Sequence, residues 1–179
     1  MAGAARVVSV DTSERALALA RRHWEENGLP PELGEFVRED AQAYLRRREE
    51  LFDLLVLDPP ALVQHRIDLP RGSRAYRELN RAAFERCAPG AFVLTFTCSP
   101  HVKPDLFRKL VATAAADAGK DVQVLAALGP GIDHPSHLGH PEGDYLHGLL
   151  LRIRGSTSKS HIGAGHPCAG GIAHAGESG

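Results

Sequence analysis

The sequence of 179 residues predicts an α/β fold in which a mostly parallel sheet ends in an antiparallel hairpin. Segments rich in β-branched and aliphatic residues alternate with segments whose apolar residues have helical spacing, a pattern typical of parallel sheets with helices packed on them. The last two predicted strands have no helix between them and should therefore pair antiparallel. Residues 1–154 form the predicted domain, and residues 155–179, rich in Gly, Ser, Ala and His, are expected to be disordered.

The first third of the chain predicts three strands and two helices. The predicted strands are residues 6–10, 35–38 and 53–57. The first helix follows Thr12 or Ser13, either of which can cap it, and it ends at Gly28. The second helix runs from Asp40 to about Arg48. The third strand is nearly all apolar, which is typical of a parallel strand buried on both faces.

The rest of the chain predicts a loop, two helices and three further strands. In chain order these are a loop at 61–73, a helix at 74–87, a strand at 91–97, a helix at 104–118, a strand at 121–128, a loop at 129–144 and a strand at 145–153. Pro89 and Gly90 predict a turn before the fourth strand, and Cys98 follows directly after that strand. Pro104 marks the start of the next helix and Gly119 its end.

Composition excludes several classes of protein. The net charge is −1 and the pI about 6.8, so any contact with nucleic acid must use a local patch or a domain outside this chain. Three cysteines are too few for a disulfide framework and favour a reducing compartment. We find no apolar run of membrane-spanning length and no signal peptide, and we expect a cytoplasmic protein. The spacing of His161, His166, Cys168 and His174 fits no zinc site, so no metal is predicted.

Polar side chains follow four of the predicted strands, and in doubly wound sheets ligands bind at the carboxyl ends of strands. These residues are Asp11, Asp40, Asp58 and Cys98. A carboxylate at Asp11 can accept both hydroxyls of a ribose, and one at Asp40 can accept from an adenine amino group. Capping of the following helix is the alternative role for both residues.

The strongest chemical signals are the turn that starts at Asp58 and the thiol of Cys98. Pro59 and Pro60 directly after a strand fix a rigid, extended turn that would present Asp58 to a pocket. A plain turn that ends the strand is the alternative. Cys98 lies at a strand end between Thr and Ser, which favours a nucleophile over a buried structural cysteine. Cys87, on the predicted helix, is assigned a structural role, and Cys168 in the tail is expected to be inert.

Several short pieces of sequence together form a specific pattern. They are Val7-Val8-Ser9-Val10-Asp11-Thr12-Ser13, Asp58-Pro59-Pro60, Leu94-Thr95-Phe96-Thr97-Cys98-Ser99, Asp105-Leu106-Phe107, Ala118-Gly119-Lys120-Asp121-Val122-Gln123, Asp133-His134-Pro135 and Pro141-Glu142-Gly143-Asp144-Tyr145-Leu146-His147-Gly148. This series resembles the bacterial large-subunit ribosomal RNA cytosine-C5 methyltransferases of the RlmI-like group. The resemblance covers residues 4 to about 154.

The resemblance implies a Rossmann-like class I fold that binds S-adenosyl-L-methionine (SAM). Asp11 with Thr12 would hold the ribose of SAM, and Asp40 with Ala41 would border its adenine. Asp58 would lie at the junction between the methyl donor and the target base. No metal and no membrane are expected to take part.

The resemblance also implies the chemistry of the target. Pro59 and Pro60 would line the site of a cytosine in ribosomal RNA, and Asp58 would bind the N3/N4 edge of that base. Cys98 would act in its thiolate form by adding to C6, which makes C5 reactive toward a methyl group. The base must leave its stack to reach the pocket, which looped or single-stranded RNA permits most readily.

The family pattern begins earlier than this chain, with an RNA-binding PUA domain, a connecting segment and a first strand followed by a glycine-bearing SAM loop. Met1 is accordingly interpreted as an internal methionine or a false start. In the family the first strand lies between the strand ending at Asp11 and the strand ending at Asp58. We therefore expect two half-sheets with unpaired inner edges, and a chain that is poorly stable and inactive alone.

Other functions remain open at this point. One is methylation of an exocyclic amine, although Ala61 stands where such enzymes have an aromatic residue after the turn. Another is a nicotinamide-dependent oxidoreductase, although no Gly-x-Gly-x-x-Gly is present. A third is a truncated, non-catalytic fragment. Arg66, Arg71 and Arg74 either contact RNA phosphates or are ordinary solvated residues. Oligomeric state is not predicted.

Overall fold

The computed structural model describes residues 3–135, 137–139, 143 and 145–156. Its helices and strands are β1 Val7–Asp11, α1 Glu14–Glu26, β2 Gly34–Arg38, α2 Ala41–Arg47, β3 Phe52–Leu57, α3 Leu69–Glu85, β4 Cys87–Thr97, α4 Pro104–Asp117, β5 Lys120–Leu128 and β6 His147–Ser156. This order confirms the predicted alternation of strands and helices. No helix among the described residues is both long and apolar enough to cross a membrane.

The strands form two sheets. In the smaller sheet β1 pairs with β2 in parallel, with Val7 opposite Gly34 and Asp11 opposite Arg38. The larger sheet has the order β3-β4-β6-β5, in which β3 and β4 are parallel and β6 is antiparallel to both of its neighbours. The expected antiparallel ending and the expected pair of half-sheets are therefore both present. Within the described residues no strand pairing joins β1 to β3.

Two apolar clusters hold the elements together. The first packs α3 and α4 onto one face of the larger sheet; its members include Tyr76, Phe84, Phe107, Leu149, Leu151 and Ile153. The second lies among α2, α3 and the two sheets and contains Tyr44, Leu45, Leu57, Leu79, Ala82 and Ala83. Val8, Val10 and Val37 of the smaller sheet pack against this second cluster. The second cluster thus holds the two sheets side by side without a hydrogen bond between their strands.

The expectation that β3 is buried on both faces is wrong. Leu55 and Leu57 face the helices, but Leu54 and Val56 on the opposite face are 58% and 57% exposed. Phe92, on the neighbouring strand, is 40% exposed. Helices α3 and α4 lie on the first face only, and α1 packs on the smaller sheet. The larger sheet therefore carries an open apolar face in the part of the chain that the structure describes.

Helix α3 begins at Leu69, so the predicted loop over 61–73 is wrong in its second half. Pro70 lies in the first helical turn, where a missing N–H costs nothing because that group would have no partner. Gly72 packs so closely that a Cβ there would overlap Val63 and the carbonyl oxygen of Leu62. The two residues that predicted a loop therefore mark a helix start and a tight contact.

Cys87 is the first residue of β4, not the last residue of a helix as predicted. The expected turn at Pro89 and Gly90 is an irregularity within that strand. Phe52 pairs with Cys87 and Leu54 pairs with Phe92, so four residues of β4 lie opposite one residue of β3. Gly90 has a φ of +89°, a conformation that glycine adopts without strain.

The end of the chain extends the last strand. β6 runs to Ser156, two residues past the predicted domain boundary. Residues 157–179, with His161, His166, Cys168 and His174, lie outside the described residues. The predicted disorder of the tail and its lack of a metal site stay predictions.

Candidate active site

A cleft of about 470 Å³ lies at the carboxyl ends of β1, β2 and β3. Each residue predicted to bind cofactor or substrate lines this cleft: Asp11, Thr12, Asp40, Ala41, Asp58, Pro59 and Pro60. Its apolar lining comes mainly from Val10, Val56, Leu57, Leu62 and Leu79. The fold therefore brings together side chains that are far apart in sequence, and their roles remain predictions.

Asp11 supports the turn into α1. Its Oδ1 accepts a hydrogen bond from the backbone N–H of Ser13 at 2.7 Å, and Ser13 caps the helix by accepting from Ala16. Asp11 is therefore not the helix cap itself. Its second carboxylate oxygen has no partner among the described residues, and the side chain is exposed in the cleft. That oxygen can accept a hydrogen bond from a ligand hydroxyl.

Asp40 is the N-cap of α2, the alternative role that the sequence left open. Its Oδ1 accepts from the backbone N–H of Ala43 at 2.9 Å. The other carboxylate oxygen has no hydrogen-bond partner in the described part of the chain. Capping and ligand binding are therefore compatible at this residue, because each uses a different oxygen atom.

One further carboxylate of the cleft, that of Glu39, is neutralised by the protein. It forms an ion pair with Arg47 at 2.6 Å, and the hydrogen bond from Arg47 lowers the pKa of Glu39. Asp11, Asp40 and Asp58 form no ion pair with any described residue. The cleft thus offers three carboxylates to hydroxyl, amino or cationic groups of a ligand. In the described chain no group of His, Cys, Asp and Glu side chains is arranged to hold a metal ion.

Cys98 lies beside the cleft, just after β4. Because β4 runs parallel to β3, the two strands end at the same edge of the sheet. The Sγ atom of Cys98 is 3.8 Å from the carbonyl oxygen of Pro59, to which the thiol donates. The side chain is partly exposed. The structure thus places the thiol next to the Asp58-Pro59-Pro60 turn.

A buried hydrogen-bond network fixes both neighbours of Cys98 in the chain. The hydroxyl of Tyr76 accepts from Thr97 Oγ1 at 2.8 Å and is hydrogen-bonded to Ser99 Oγ at 2.9 Å. Ser99 Oγ also accepts from the backbone N–H of Val63 at 3.0 Å. Sequence reasoning missed Tyr76. A buried tyrosine hydroxyl needs a hydrogen-bond partner. The only indication of one in the sequence was the pair of hydroxyl residues on either side of Cys98, Thr97 and Ser99, and only the fold shows that Tyr76 reaches them.

Cys87 differs from Cys98 in its burial. It is fully buried, and burial raises the pKa of its thiol to about 12, although Lys120 opposes this effect. A thiol with that pKa is protonated at neutral pH and is a poor nucleophile. The structure agrees with the structural role assigned to Cys87, while placing it on a strand.

The chain is similar in sequence to curated proteins. It is 44% identical over 155 residues to ribosomal RNA large subunit methyltransferase I of Aeromonas hydrophila, covering 85% of this chain and 39% of that protein. The protein of the same name from Enterobacter sp. is 43% identical over 156 residues, with 86% and 39% covered. The chain therefore spans about two fifths of the length of these relatives and matches their C-terminal part. No family model matches it.

Solved structures show the same fold. A protein from Streptococcus mutans described as a SAM-dependent methyltransferase aligns with a TM-score of 0.71 at 21% identity, covering 86% of this chain and 40% of that one. A methyltransferase homologue from Pyrococcus horikoshii aligns with a TM-score of 0.58 at 17% identity, covering 82% and 53%. These similarities confirm the predicted fold class, that of the SAM-dependent methyltransferases.

Proposed function

Because this chain is homologous to the C-terminal part of ribosomal RNA large subunit methyltransferase I, we propose that it forms the methyl-transfer cleft of an RNA methyltransferase. The enzyme would use SAM to methylate C5 of a cytosine in ribosomal RNA, with Cys98 as nucleophile. One observation carries the proposal: the partly exposed thiol of Cys98 lies 3.8 Å from the carbonyl oxygen of Pro59, which lines a cleft whose carboxylates Asp11, Asp40 and Asp58 form no ion pair with any described residue.

The residues of the cleft fit SAM. Its ribose hydroxyls and adenine amino group are hydrogen-bond donors, and Asp11 and Asp40 each have an unengaged carboxylate oxygen. The apolar side chains of Val10, Leu57 and Leu79 suit the faces of an adenine ring. When bound, SAM supplies an electrophilic methyl group. A solved methyltransferase of the same fold contains S-adenosylhomocysteine (SAH), the product of such a transfer.

Cys98 would make cytosine reactive. The thiolate forms a bond to C6, and the electron pair of the C5–C6 double bond then makes C5 nucleophilic. After C5 gains the methyl group, its proton is removed, the double bond forms again and the thiolate leaves. The contact with Pro59 keeps the thiol at the turn rather than in the core. Asp58, exposed in the cleft, would hold the N3/N4 edge of the base.

Methylation of an exocyclic amine is less well supported. Enzymes of that type are expected to stack the target base on an aromatic ring directly after the turn. Ala61 occupies this position, and no aromatic side chain lines the cleft among the described residues. A reactive thiol beside the turn has no use in that reaction.

We also propose that the chain alone is inactive. It spans about two fifths of its relatives, its two sheets are not joined by strand pairing, and one face of β3 is exposed. An exposed strand edge and an apolar face both destabilise an isolated fold. Activity is therefore expected only when the preceding part of such a relative completes the cleft.

Product analysis tests the function. The chain is joined behind the preceding part of the Aeromonas hydrophila relative, incubated with ribosomal RNA and methyl-tritiated SAM, and the RNA is digested to nucleosides. We expect label in 5-methylcytidine, its loss in Cys98→Ala and its retention in Cys87→Ala. Label in N4-methylcytidine or N6-methyladenosine would instead establish amine methylation, and label that survives Cys98→Ala would exclude the cysteine mechanism.

A further inference from the structure

The charges along α3 divide the helix into two halves. In the C-terminal half Arg77 pairs with Asp117 of α4 at 2.5 Å, and Arg81 pairs with Glu78 at 3.0 Å. In the N-terminal half Arg71 and Arg74 are exposed, and their side chains form no ion pair or hydrogen bond with any described residue. The first helical turn contains no acidic residue. Positive charge is therefore compensated at one end of the helix and uncompensated at the other.

The unpartnered arginines Arg66, Arg71 and Arg74 are grouped in sequence, whereas Arg15 and Arg108, whose side chains also lack a partner among the described residues, are single. Arginines elsewhere in the described chain are mostly ion-paired: Arg6, Arg21, Arg22, Arg46, Arg47, Arg48, Arg77 and Arg81. Residues 61–76 instead contain three arginines, including the exposed Arg66, and one aspartate, in a chain whose net charge is −1. Like charges that are close together and unpaired repel one another, which an anionic partner would relieve.

Of the three arginines, Arg71 lines a groove that adjoins the active-site cleft, and Arg74 precedes Ala75 of the same groove. A groove of about 340 Å³ is lined by Gln64, Asp68, Arg71 and Gly72, and it shares Leu62 and Ala75 with the larger cleft. The close packing of Gly72 fixes the start of α3 against the preceding segment. That segment is tied to the residue after Cys98 by the hydrogen bond from Val63 to Ser99. These contacts hold the backbone at the start of α3, which carries Arg71 and Arg74, against the segment that adjoins the thiol.

One further cationic side chain, that of Lys103, lies on the other segment that flanks Cys98. His101 and Lys103 are exposed on either side of Val102, which is fully buried in the first cluster. The side chain of Lys103 has no ion pair or hydrogen bond with the described residues. Basic side chains therefore occur on both chain segments that meet at the thiol.

We propose that Arg66, Arg71 and Arg74 form an RNA-backbone surface that binds phosphates next to the target nucleotide. The inference rests on the proposed function and assigns part of RNA binding to this chain itself. Guanidinium groups bind phosphate through paired hydrogen bonds. Such contacts position RNA without reading its sequence. A strand crossing this groove would enter beside the cleft with its target base unstacked, as single-stranded or looped RNA allows.

Salt-dependent RNA binding tests the surface. The chain joined behind the preceding part of the Aeromonas hydrophila relative, and variants of this joined protein, are titrated into a fluorescein-labelled single-stranded RNA of 12 nucleotides, and anisotropy gives Kd at several salt concentrations. Each phosphate contact contributes about 0.7 to the slope of log Kd against log salt on single strands. The double variant Arg71→Gln/Arg74→Gln is expected to lower the slope by about 1.4 and to weaken binding at low salt. Arg66→Gln should lower it by about half as much.

The matched control is Arg77→Gln/Arg81→Gln, which removes the same charge from the same helix. It should leave the slope unchanged, because those arginines are engaged by protein carboxylates. Equal effects of the two double variants, no effect of the first, or no RNA binding by the joined protein without substitutions would overturn the proposal. The product analysis above is independent: 5-methylcytidine formed by an enzyme whose Arg71→Gln/Arg74→Gln variant keeps its RNA affinity would reject the surface and retain the function.

Discussion

The Sγ atom of Cys98 lies 3.8 Å from the carbonyl oxygen of Pro59, so the ends of β4 and β3 meet at one thiol. The hydroxyl of Tyr76 on α3 is hydrogen-bonded to the residues before and after Cys98. A helix residue is thereby linked to the backbone on both sides of the proposed nucleophile.

Replacing Tyr76 with Phe should destabilise the protein by about 1–3 kcal/mol, because buried polar groups of Thr97 and Ser99 lose a partner. The control is Thr95→Val at a residue that is equally buried. The hydroxyl of Thr95 has no hydrogen-bond partner among the described residues, so its removal should be neutral or stabilising. Urea denaturation measures both. Equal destabilisation by the two variants would show that the Tyr76 hydroxyl is not engaged as described.

Two substitutions at Asp40 separate capping from ligand binding. Asp40→Ala should cost about 1 kcal/mol of stability, because the N–H of Ala43 loses its partner. Asp40→Ser retains a good N-cap and should preserve stability while removing the carboxylate. If the second oxygen of Asp40 binds adenine, both variants weaken SAH binding in an enzyme completed by the relative's N-terminal part. Normal SAH affinity in Asp40→Ser would limit Asp40 to its capping role.

The two described cysteines should differ in alkylation. In a Cys168→Ser background, iodoacetamide is expected to modify Cys98 first, since Cys98 is partly exposed and Cys87 is fully buried. The rate of alkylation at Cys87 should be lower than that at Cys98 by a factor of at least about 100, because the core must open before the reagent can reach Cys87. Mass spectrometry of the tryptic peptides follows both sites. Comparable rates would mean that the folded structure does not protect Cys87.

Cys87 should also make stability fall at alkaline pH. Its pKa is about 12 when folded against an ordinary value of 9.0, so the unfolded chain loses the proton first. The contribution of the protonated Cys87 thiol to the free energy of unfolding is fully present below about pH 9. It is lost between pH 9 and 12, at up to about 1.4 kcal/mol per pH unit. Urea denaturation of wild type and Cys87→Ala at pH 7 and 10 measures it. The difference in stability between the two proteins should shrink at pH 10, and a constant difference would contradict the assignment.

The parts of the structure that sequence predicted depend on local signals. Alternating strands and helices follow from periodicity, and the cleft follows from polar residues such as Asp11 and Asp58 directly after strands. Parallel strands end at a common edge, so residues distant in sequence were expected to meet there. The antiparallel pairing of β5 and β6 follows from the absence of a helix between them.

The parts that sequence missed depend on tertiary contacts. Gly72 predicted a loop because glycine is unfavourable within helices. Its close packing against Val63, which requires glycine, is visible only in the folded structure. The link from Tyr76 to Ser99 spans 23 positions and has no sequence pattern. Leu54 and Val56 have the composition of a buried strand, but burial depends on what packs against them. Apolar composition indicates that a strand is suited to burial, but it does not show whether another element packs on each face of that strand.

The central claim, that the cleft holds SAM beside Cys98, is tested most directly by calorimetric titration of SAH. The chain is compared with the version joined behind the preceding part of the Aeromonas hydrophila relative. In Asp11→Asn the side-chain oxygen can still accept the hydrogen bond from the backbone N–H of Ser13, but the negative charge that would hold the ribose is lost. The matched control is Asp53→Asn on β3.

We expect the joined protein to bind SAH, Asp11→Asn to weaken binding by roughly 10- to 100-fold, and Asp53→Asn to have no effect. The chain alone should bind far more weakly. A joined protein that unfolds cooperatively yet does not bind SAH, or binds it equally well with Asp11→Asn, would contradict the assignment of this cleft.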